Sequence, residues 1–400
     1  MTDARRTRSR IGVGVVGTGF AASAHLDALA RLPGVEVVAI AGHDAARTGA
    51  LAATHGLRAY ADSAELLADP AVDAIHTCTV NRLHYEVNLA ALEQGKHVLS
   101  EKPLATCAEE SAALAAAAAG AAERGVVSGV CFNYRHYPMV AQIREMLRTG
   151  DHGAPHFVHG QYLQDWLLHE TDWNWRVQPE DGGTSRAVAD IGSHWSDLVQ
   201  HVTGDVIDEV FGDLATLHDT RLRPATGSST FASAEPDGEL EPVAVRSEDF
   251  GTVLVRFRSG ARGAFTVSQT SAGRKNGLRF QVDAARAAFA WEQERPERAW
   301  VGRRSGGNLE LVRDPGELLP RAARLARLPA GHPEGWADAL RNVFADFYAS
   351  VTARHNGDDH ASDVASFADG HARVALVEAV MASDRDQRWT RVESASRVSA

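Results

Sequence analysis

The stretch Ile11-Gly-Val-Gly-Val-Val16-Gly17-Thr18-Gly19-Phe20-Ala21-Ala22 decides the fold. Its first six residues are a short apolar run, which reads as a strand buried on both faces. The next six carry the spacing G-x-G-x-x-A. Gly17 permits a tight turn. Gly19 lets a pyrophosphate approach the backbone, and Ala22 is small enough for close helix–strand packing. A helix starting here aims its first N–H groups at phosphate, so Gly17, Thr18, Gly19, Phe20 and Ala21 are candidate dinucleotide contacts. A glycine turn alone is a weak signal. Here residues 21–32 read as a helix, Pro33-Gly34 as a turn and Val35–Ile40 as a second strand, which completes one βαβ unit.

The residue ending the second strand reads the adenosine ribose. An acid there favours NAD, whereas a small residue with a nearby Arg favours NADP. Gly42 stands at that position, followed by His43, Asp44 and Arg47. His43 and Arg47 suit a 2′-phosphate, while Asp44 can still reach a ribose hydroxyl. The expectation is NAD or NADP, leaning to NADP. Residues 45–55 read as a helix, 73–79 as a strand, 84–94 as a helix and 97–100 as a strand ending at Glu101-Lys102-Pro103. Pro103 holds Lys102 extended. Open α/β sheets bind ligands at the carboxyl ends of their strands, which places Lys102 well by topology alone. An alanine-rich helix (108–124) and a strand (125–131) close the first domain, expected at 9–131, with 132–400 as the second.

Composition sets the class. Four hundred residues exceed one ordinary core. Forty-one basic against 52 acidic residues give a net charge of −11, which disfavours nucleic acid and anionic membrane as partners. Cys78, Cys107 and Cys131 form no C-x-x-C pair, so neither a disulfide framework nor a structural metal is expected, and the thiols fit a reducing cytoplasm. Arg5-Arg6 before the apolar run mimics a twin-arginine signal, but the glycines make the run read as strand and turn instead. No stretch reads as a membrane span.

In the second half, Arg186-Ala-Val-Ala-Asp190-Ile-Gly-Ser-His194-Trp195 reads as a helix. Asp190 and His194, four apart, share one face and suit general acid–base work; an ordinary helix-surface pair has the same spacing. Asp197 and His201 repeat that spacing. With His194 they lack a recognised metal-ligand set, so no metal is expected. Upstream lie Gln164-Asp165-Trp166, Trp173, Trp175 and Arg176. Indole faces stack on sugar C–H groups and planar polar groups fix hydroxyls, though large aromatics also pack cores. Residues 221–248, rich in Pro, Ser, Ala, Gly and Glu, read as a mobile insertion. Segments 252–257, 262–269, 279–283 and 288–292 alternate like antiparallel strands. Such a sheet must cover its second face, and a homo-oligomer (a dimer or tetramer) does so. Residues 303–330 read as irregular, Gly331–Trp336 as a loop over the site, and 336–353 and 364–385 as amphipathic helices.

Gly17-Thr-Gly19, Asn81-x-x-His84, Gly95-Lys-His, Glu101-Lys102-Pro103 and Asp190-x-Gly-x-His194 occur in order. Together they resemble the Gfo/Idh/MocA oxidoreductase family over nearly the whole chain. The resemblance implies an N-terminal Rossmann doubly wound parallel sheet and a C-terminal α+β domain with a large open, mostly antiparallel sheet. It implies Lys102, Asp190 and His194 as catalytic residues. Thr79, Asn81, His84, Glu101, Lys102, Asn133, Trp175 and Arg176 would lie along the cofactor. Phe132-Asn-Tyr134-Arg135, Gln161–Trp166, Trp173-x-Trp175-Arg176 and Gly331–Trp336 are similar to a subgroup of levoglucosan and glycoside C3-oxidising dehydrogenases. That similarity adds Tyr134, Arg135, Gln164, Asp165, Trp166 and Trp336 as substrate contacts beside Lys102, Asp190 and His194. The expected activity is NAD(P)-dependent oxidation of a secondary ring hydroxyl of a sugar, glycoside or anhydrosugar. The alternatives are a cyclitol dehydrogenase, a redox-assisted glycosidase or C-glycoside oxidase, and a non-catalytic nucleotide-binding regulator.

Overall fold

Ile11–Val16 is the first strand, β1, and its last five residues are buried. The computed structural model describes residues 10–224 and 239–393. The Arg5-Arg6 pair lies outside them. After β1 come β2 (Val35–Ala41), β3 (Arg58–Tyr60), β4 (Ala74–Thr77), β5 (His97–Ser100) and β6 (Ser128–Val130). They form one sheet in the order β3-β2-β1-β4-β5-β6, every pair parallel. β4 and β5 are buried along their whole length, as strands must be when helices cover both faces. The order reverses between β1 and β4, and ligands of such sheets bind at the strand ends there. The compact unit built on this sheet takes residues to 105, 109–133 and also 340–370. Ala365 and Phe367 join its core beside Val16, Ile75 and Val98.

The second unit comprises 106–108, 134–339 and 371–400. Its strands are β7 (Pro155–Leu163), β8 (Ile207–Ala215), β9 (Thr220–Pro224), β10 (Leu240–Ala244), β11 (Phe250–Phe257), β12 (Arg262–Ser268), β13 (Gly277–Ala284), β14 (Ala288–Glu292), β15 (Arg298–Gly302), β16 (Leu309–Val312) and β17 (Thr390–Arg391). Nine of them form a sheet ordered β16-β15-β14-β13-β7-β12-β11-β8-β17. Only β7 and β12 run parallel. Helices Pro138–Arg148 and Ser193–Thr203 pack on one face through Ile143, Trp195, Leu198 and Val199. On the other face the period-two alternation leaves Phe157, Leu254 and Trp300 exposed.

Three expectations need correction. The segment 221–248 is not wholly an insertion. Residues 220–224 and 240–244 pair as an antiparallel ribbon, and Val245, Ser247 and Glu248 are buried; 225–238 lie outside the described residues. The run 303–330 contains β16 and a short helix, Pro320–Leu325. Finally, Asp190 does not sit in an ordinary α-turn. Val188–Gly192 is wound as a π-turn, and the Ser193 N–H reaches back five residues to the Val188 carbonyl. Such one-turn π-bulges recur at functional sites. No helix among the described residues is long and apolar enough to cross a membrane.

Candidate active site

The first unit supplies a dinucleotide cradle. Gly17 has φ +118°, and a Cβ there would lie 2.3 Å from the Cys78 carbonyl oxygen, so only glycine fits. Gly19 caps helix Phe20–Leu29 with no side-chain hydrogen bond, and a Cβ on it would meet nothing within 4 Å. The helix N-terminus therefore opens onto space that a phosphate can occupy. Thr18 is buried, and half of the Phe20 ring is exposed. Two further candidates leave buried polar atoms without a protein partner, Thr79 Oγ1 and Asn133 Nδ2. Both follow strand ends, after β4 and β6. This donor set fits a dinucleotide.

The ribose end carries a different message from the one expected of a missing acid. A Cβ on Gly42 would lie 2.6 Å from Thr18 Cγ2 and 2.8 Å from Thr48 Oγ1. Packing therefore dictates glycine there. Asp44 caps helix Ala45–His55 by accepting from the Arg47 N–H at 3.0 Å, and His43 and Arg47 are exposed.

His84 is buried and works on the backbone. Nδ1 lies 2.6 Å from the Pro103 carbonyl oxygen and Nε2 3.2 Å from that of Thr79. Burial lowers its pKa, against the pull of those two carbonyls. The ring thus ties the Lys102-Pro103 segment, joined by a cis peptide, to the end of β4. Asn81 is buried in the 3-10 turn that precedes His84.

The second unit supplies a polar array around His194. Tyr134 packs edge-on against the His194 ring at 4.9 Å. Its hydroxyl lies 2.7 Å from that of Tyr162 and accepts from Asn276 Nδ2 at 3.2 Å. Tyr162 donates a short hydrogen bond to Asn276 Oδ1, to which Gln164 Nε2 also donates at 3.4 Å. Trp166 Nε1 donates to Gln164 Oε1 at 2.9 Å. Burial pushes the Tyr134 phenol up to about 12 and Tyr162 well above its usual value, so both stay protonated. Tyr134, Gln164, Trp166 and His194 are thereby brought together. Tyr162 and Asn276 complete the array; Tyr162 lies inside the Gln161–Trp166 motif but was not singled out, and Asn276 stood in no motif that could have revealed it.

Asp190 faces a second network. One carboxylate oxygen accepts from Gln269 Nε2 at 2.8 Å, and the other lies 3.5 Å from Arg176 Nε. Gln269 in turn accepts from Arg186, which fixes the direction of its amide. Arg186 is fully buried against Asp249. Glu248, raised in pKa by burial, accepts from Ser185 Oγ and from the N–H groups of Arg186 and Val188, which caps the π-turn that carries Asp190.

The remaining candidates have other partners. Arg135 is buried and gives both a 2.7 Å and a 2.5 Å bond to Asp197. Asp197 is therefore engaged by arginine. Asp165 holds Lys275 at 2.7 Å and the Gly273 N–H at 2.9 Å. Trp166 and Trp173 also pack on a small cluster of Leu167, Val177 and Val245, and Trp175 stacks under Arg176 at 4.4 Å. Trp336 packs on the core of the second unit. The preceding loop is fastened from below, because Arg313 donates to the carbonyls of Leu328 and His332.

Comparison with known proteins agrees with this geometry. Residues 11–130 match the model of an oxidoreductase family with an NAD-binding Rossmann fold, and 140–290 match the GFO/IDH/MocA C-terminal domain. A levoglucosan dehydrogenase of Pseudarthrobacter phenanthrenivorans is 28% identical over 96% of this chain and 99% of its own. An oxidoreductase domain protein of Kribbella flavida superposes with a TM-score of 0.86 at 32% identity, covering 97% of this chain and all of that one. An inositol dehydrogenase homologue of Azotobacter vinelandii, solved with NAD+, gives 0.83 at 26% identity and covers 98% and 100%. These relatives lend no support to the lean towards NADP. From the parallel sheet with its glycine turn to the open antiparallel sheet, the chain belongs to the GFO/IDH/MocA family of NAD-binding oxidoreductases.

Proposed function

We propose that the protein oxidises a secondary ring hydroxyl of a sugar, glycoside or anhydrosugar, reversibly and with NAD as the first cofactor to test. The observation that carries this reading is the array on the second unit. Two phenols, two carboxamides and an indole N–H lie in one connected network against the imidazole of His194. A polyol ring needs this density of neutral donors and acceptors. Gly17, Thr18, Gly19, Phe20, Ala21, Thr79 and Asn133 hold the dinucleotide, and the bound nicotinamide supplies a hydride acceptor. His194 takes the hydroxyl proton as general base. Lys102 donates a hydrogen bond to the same hydroxyl and stabilises the alkoxide as it develops. Asp190, oriented by Gln269, binds a neighbouring hydroxyl. The position oxidised is C3 in this reading, which rests on the resemblance of Gln161–Trp166 and Trp173–Arg176 to glycoside C3-oxidising dehydrogenases and on the likeness to a glucose-6-phosphate 3-dehydrogenase of Bacillus subtilis.

A sugar and cyclitol panel run with NAD+ and NADP+ in parallel, followed at the nicotinamide absorbance, tests reaction, cofactor and substrate together. Reduction of NAD+ by an anhydrosugar or glycoside is the expected result; no turnover with any of them would sink the proposal. Turnover of inositol alone would favour a cyclitol dehydrogenase, a second reading supported by an inositol 2-dehydrogenase of Saccharopolyspora erythraea at 32% identity over 40% of this chain.

The exposed sheet face carries a further proposal. Phe157, Leu254 and Trp300 are exposed on the open face of the sheet, among polar and charged neighbours such as Thr252, Arg256 and Arg298, and a second copy of the chain covers this face. Light scattering is expected to give a dimer or tetramer of the 42.9 kDa chain. A monomer at micromolar concentration would reject it. Cys78, Cys107 and Cys131 form no disulfide with one another, which suits a reducing compartment, and cytoplasmic residence is part of this proposal.

A further inference from the structure

The first unit contains a buried polar chain that the chemistry above does not use. His25 and His76 are both fully buried and Tyr348 is nearly so. They come from three elements far apart in sequence: helix Phe20–Leu29, β4 and helix Trp336–Asn356. The Tyr348 hydroxyl lies 2.9 Å from His76 Nε2, His76 Nδ1 lies 2.8 Å from His25 Nδ1, and His25 Nε2 lies 3.0 Å from Glu101 Oε1. Glu101 immediately precedes Lys102, and its other oxygen accepts from the Lys102 N–H at 3.2 Å.

Hydrogen-bond chemistry fixes the direction of this chain. A neutral imidazole has one donor and one acceptor nitrogen. Two Nδ1 atoms facing each other need one proton between them. The Cys78 thiol also lies 3.3 Å from His25 Nδ1, and burial holds that thiol protonated. The Glu101 carboxylate can only accept, so a neutral His25 donates to it through Nε2, which leaves His25 Nδ1 as the acceptor. His25 then carries its proton on Nε2 and gives it to the Glu101 carboxylate. His76 is protonated on Nδ1 and accepts from the Tyr348 hydroxyl on Nε2. Burial lowers the His76 pKa well below its usual value, in keeping with a neutral ring, and keeps the Tyr348 phenol protonated. The reverse direction would set a bare His25 nitrogen against a carboxylate. The Cys131 thiol, likewise protonated by burial, adds a second side-chain donor to Glu101.

We propose that Tyr348, His76 and His25 form a one-way hydrogen-bond chain that holds the Glu101 carboxylate and, through it, the Glu101–Lys102 segment; they are positioning residues for Lys102. The effect on turnover rests on the reading that Lys102 acts on the substrate hydroxyl. The geometry of the chain does not.

Two experiments separate these. Long-range 1H–15N correlation spectra of the histidine-labelled protein, without substrate, are expected to show His25 as the Nε2–H tautomer and His76 as Nδ1–H. The opposite tautomers would overturn the chain whatever the enzyme turns over. The second is kinetic. Glutamine places its amide where Nε2 stands and keeps the donor to Glu101, whereas asparagine mimics Nδ1 and loses it. His25→Asn is expected to lower kcat by about 10- to 100-fold with sugar KM little changed, as misplacement of a reacting group does. His25→Gln should keep most of the activity, and Tyr348→Phe should lose severalfold in kcat at an unchanged Tm. Equal losses in the Asn and Gln variants that follow Tm would reduce His25 to a packing residue and reject the proposal. Normal turnover by Lys102→Ala, with the stated tautomers observed, would reject the reading of Lys102 and leave the chain standing. His25, Glu101 and Cys131 also offer ligand atoms within 4.8 Å of one another. A stoichiometric metal in the purified protein, lost in Cys131→Ser, would overturn the proposal, because the ion would replace the His25–Glu101 hydrogen bond.

Discussion

Replacing Lys102 with alanine is expected to lower kcat for sugar oxidation by about 1,000-fold while Tm and NADH affinity stay close to those of the parent protein. The magnitude follows from the role proposed for the ammonium. A donor aimed at a developing oxyanion in a dry site contributes roughly 3–4 kcal/mol, which is two to three orders of magnitude in rate. Lys102 is half-buried at the end of β5, so truncation opens no core cavity. The segment that carries it is held by other groups, namely His84 on the Pro103 carbonyl and the Glu101 carboxylate on the Lys102 N–H. Stopped-flow single turnovers separate the outcomes. A slow hydride step with normal cofactor binding supports the assignment. Turnover within tenfold of the parent removes Lys102 from the mechanism. Lys102→Arg is not a rescue, because a planar guanidinium cannot place a single donor where the ammonium does.

The parts of the fold that were legible in sequence are those governed by local rules. β1, its glycine turn and the helix after it follow from residue size and backbone freedom within twelve positions, and Gly17 shows the reason in its contact with Cys78. Alternation marked β11 and β12 because one face of that sheet is buried and the other open. What stayed hidden depends on partners far along the chain. Gly42 looked like a missing acid, whereas Thr18 and Thr48 leave no room for a side chain. Glu248 and Asp249 lay at the edge of a stretch with the composition of a loose insertion, yet they hold the turn of Asp190 from 60 residues away. Helical spacing placed Asp190 and His194 on one face, but Asp190 lies inside a π-turn, and no propensity rule marks an extra residue in a turn. Tyr162, Gln269 and Asn276 acquire meaning only when the sheet register brings them beside Tyr134 and Asp190. Arg135 shows the opposite case: a motif residue whose guanidinium is engaged by Asp197 inside the second unit.

Asp249→Asn is expected to produce the largest loss of stability among single changes in the second unit. Arg186 and Arg221 are both fully buried and share one oxygen of Asp249, while the other oxygen accepts the N–H groups of Leu217 and His218. Burial pushes the Asp249 pKa up, but the two guanidiniums outweigh it and hold the carboxyl below its usual value. Removing the charge leaves two buried cations facing each other. Burial already lowers the Arg221 pKa, and Arg186 lowers it further. Breaking a buried ion pair from one side costs about 3–5 kcal/mol. For a unit of this size that corresponds to a fall in Tm of about 6–20 °C. The loss should be local. The second unit melts earlier, while NADH binding by the first unit, read by fluorescence, keeps its Kd within about twofold in the folded protein. The pH dependence has a definite sign. Because the folded pKa is depressed, the stabilisation is complete above the unfolded value of about 4 and disappears as pH falls through the lower folded value. The variant should therefore resemble the parent at pH 2–3 more than at pH 7. Function should suffer as well. Arg186 sets the direction of the Gln269 amide that donates to Asp190, so once Arg186 loses its anion that amide is free to turn. At a temperature where the variant is still folded, kcat is expected to fall more than KM rises. An unchanged Tm would show that water or a rearranged neighbour compensates the two arginines and would end the claim that this buried triad anchors the π-turn of Asp190.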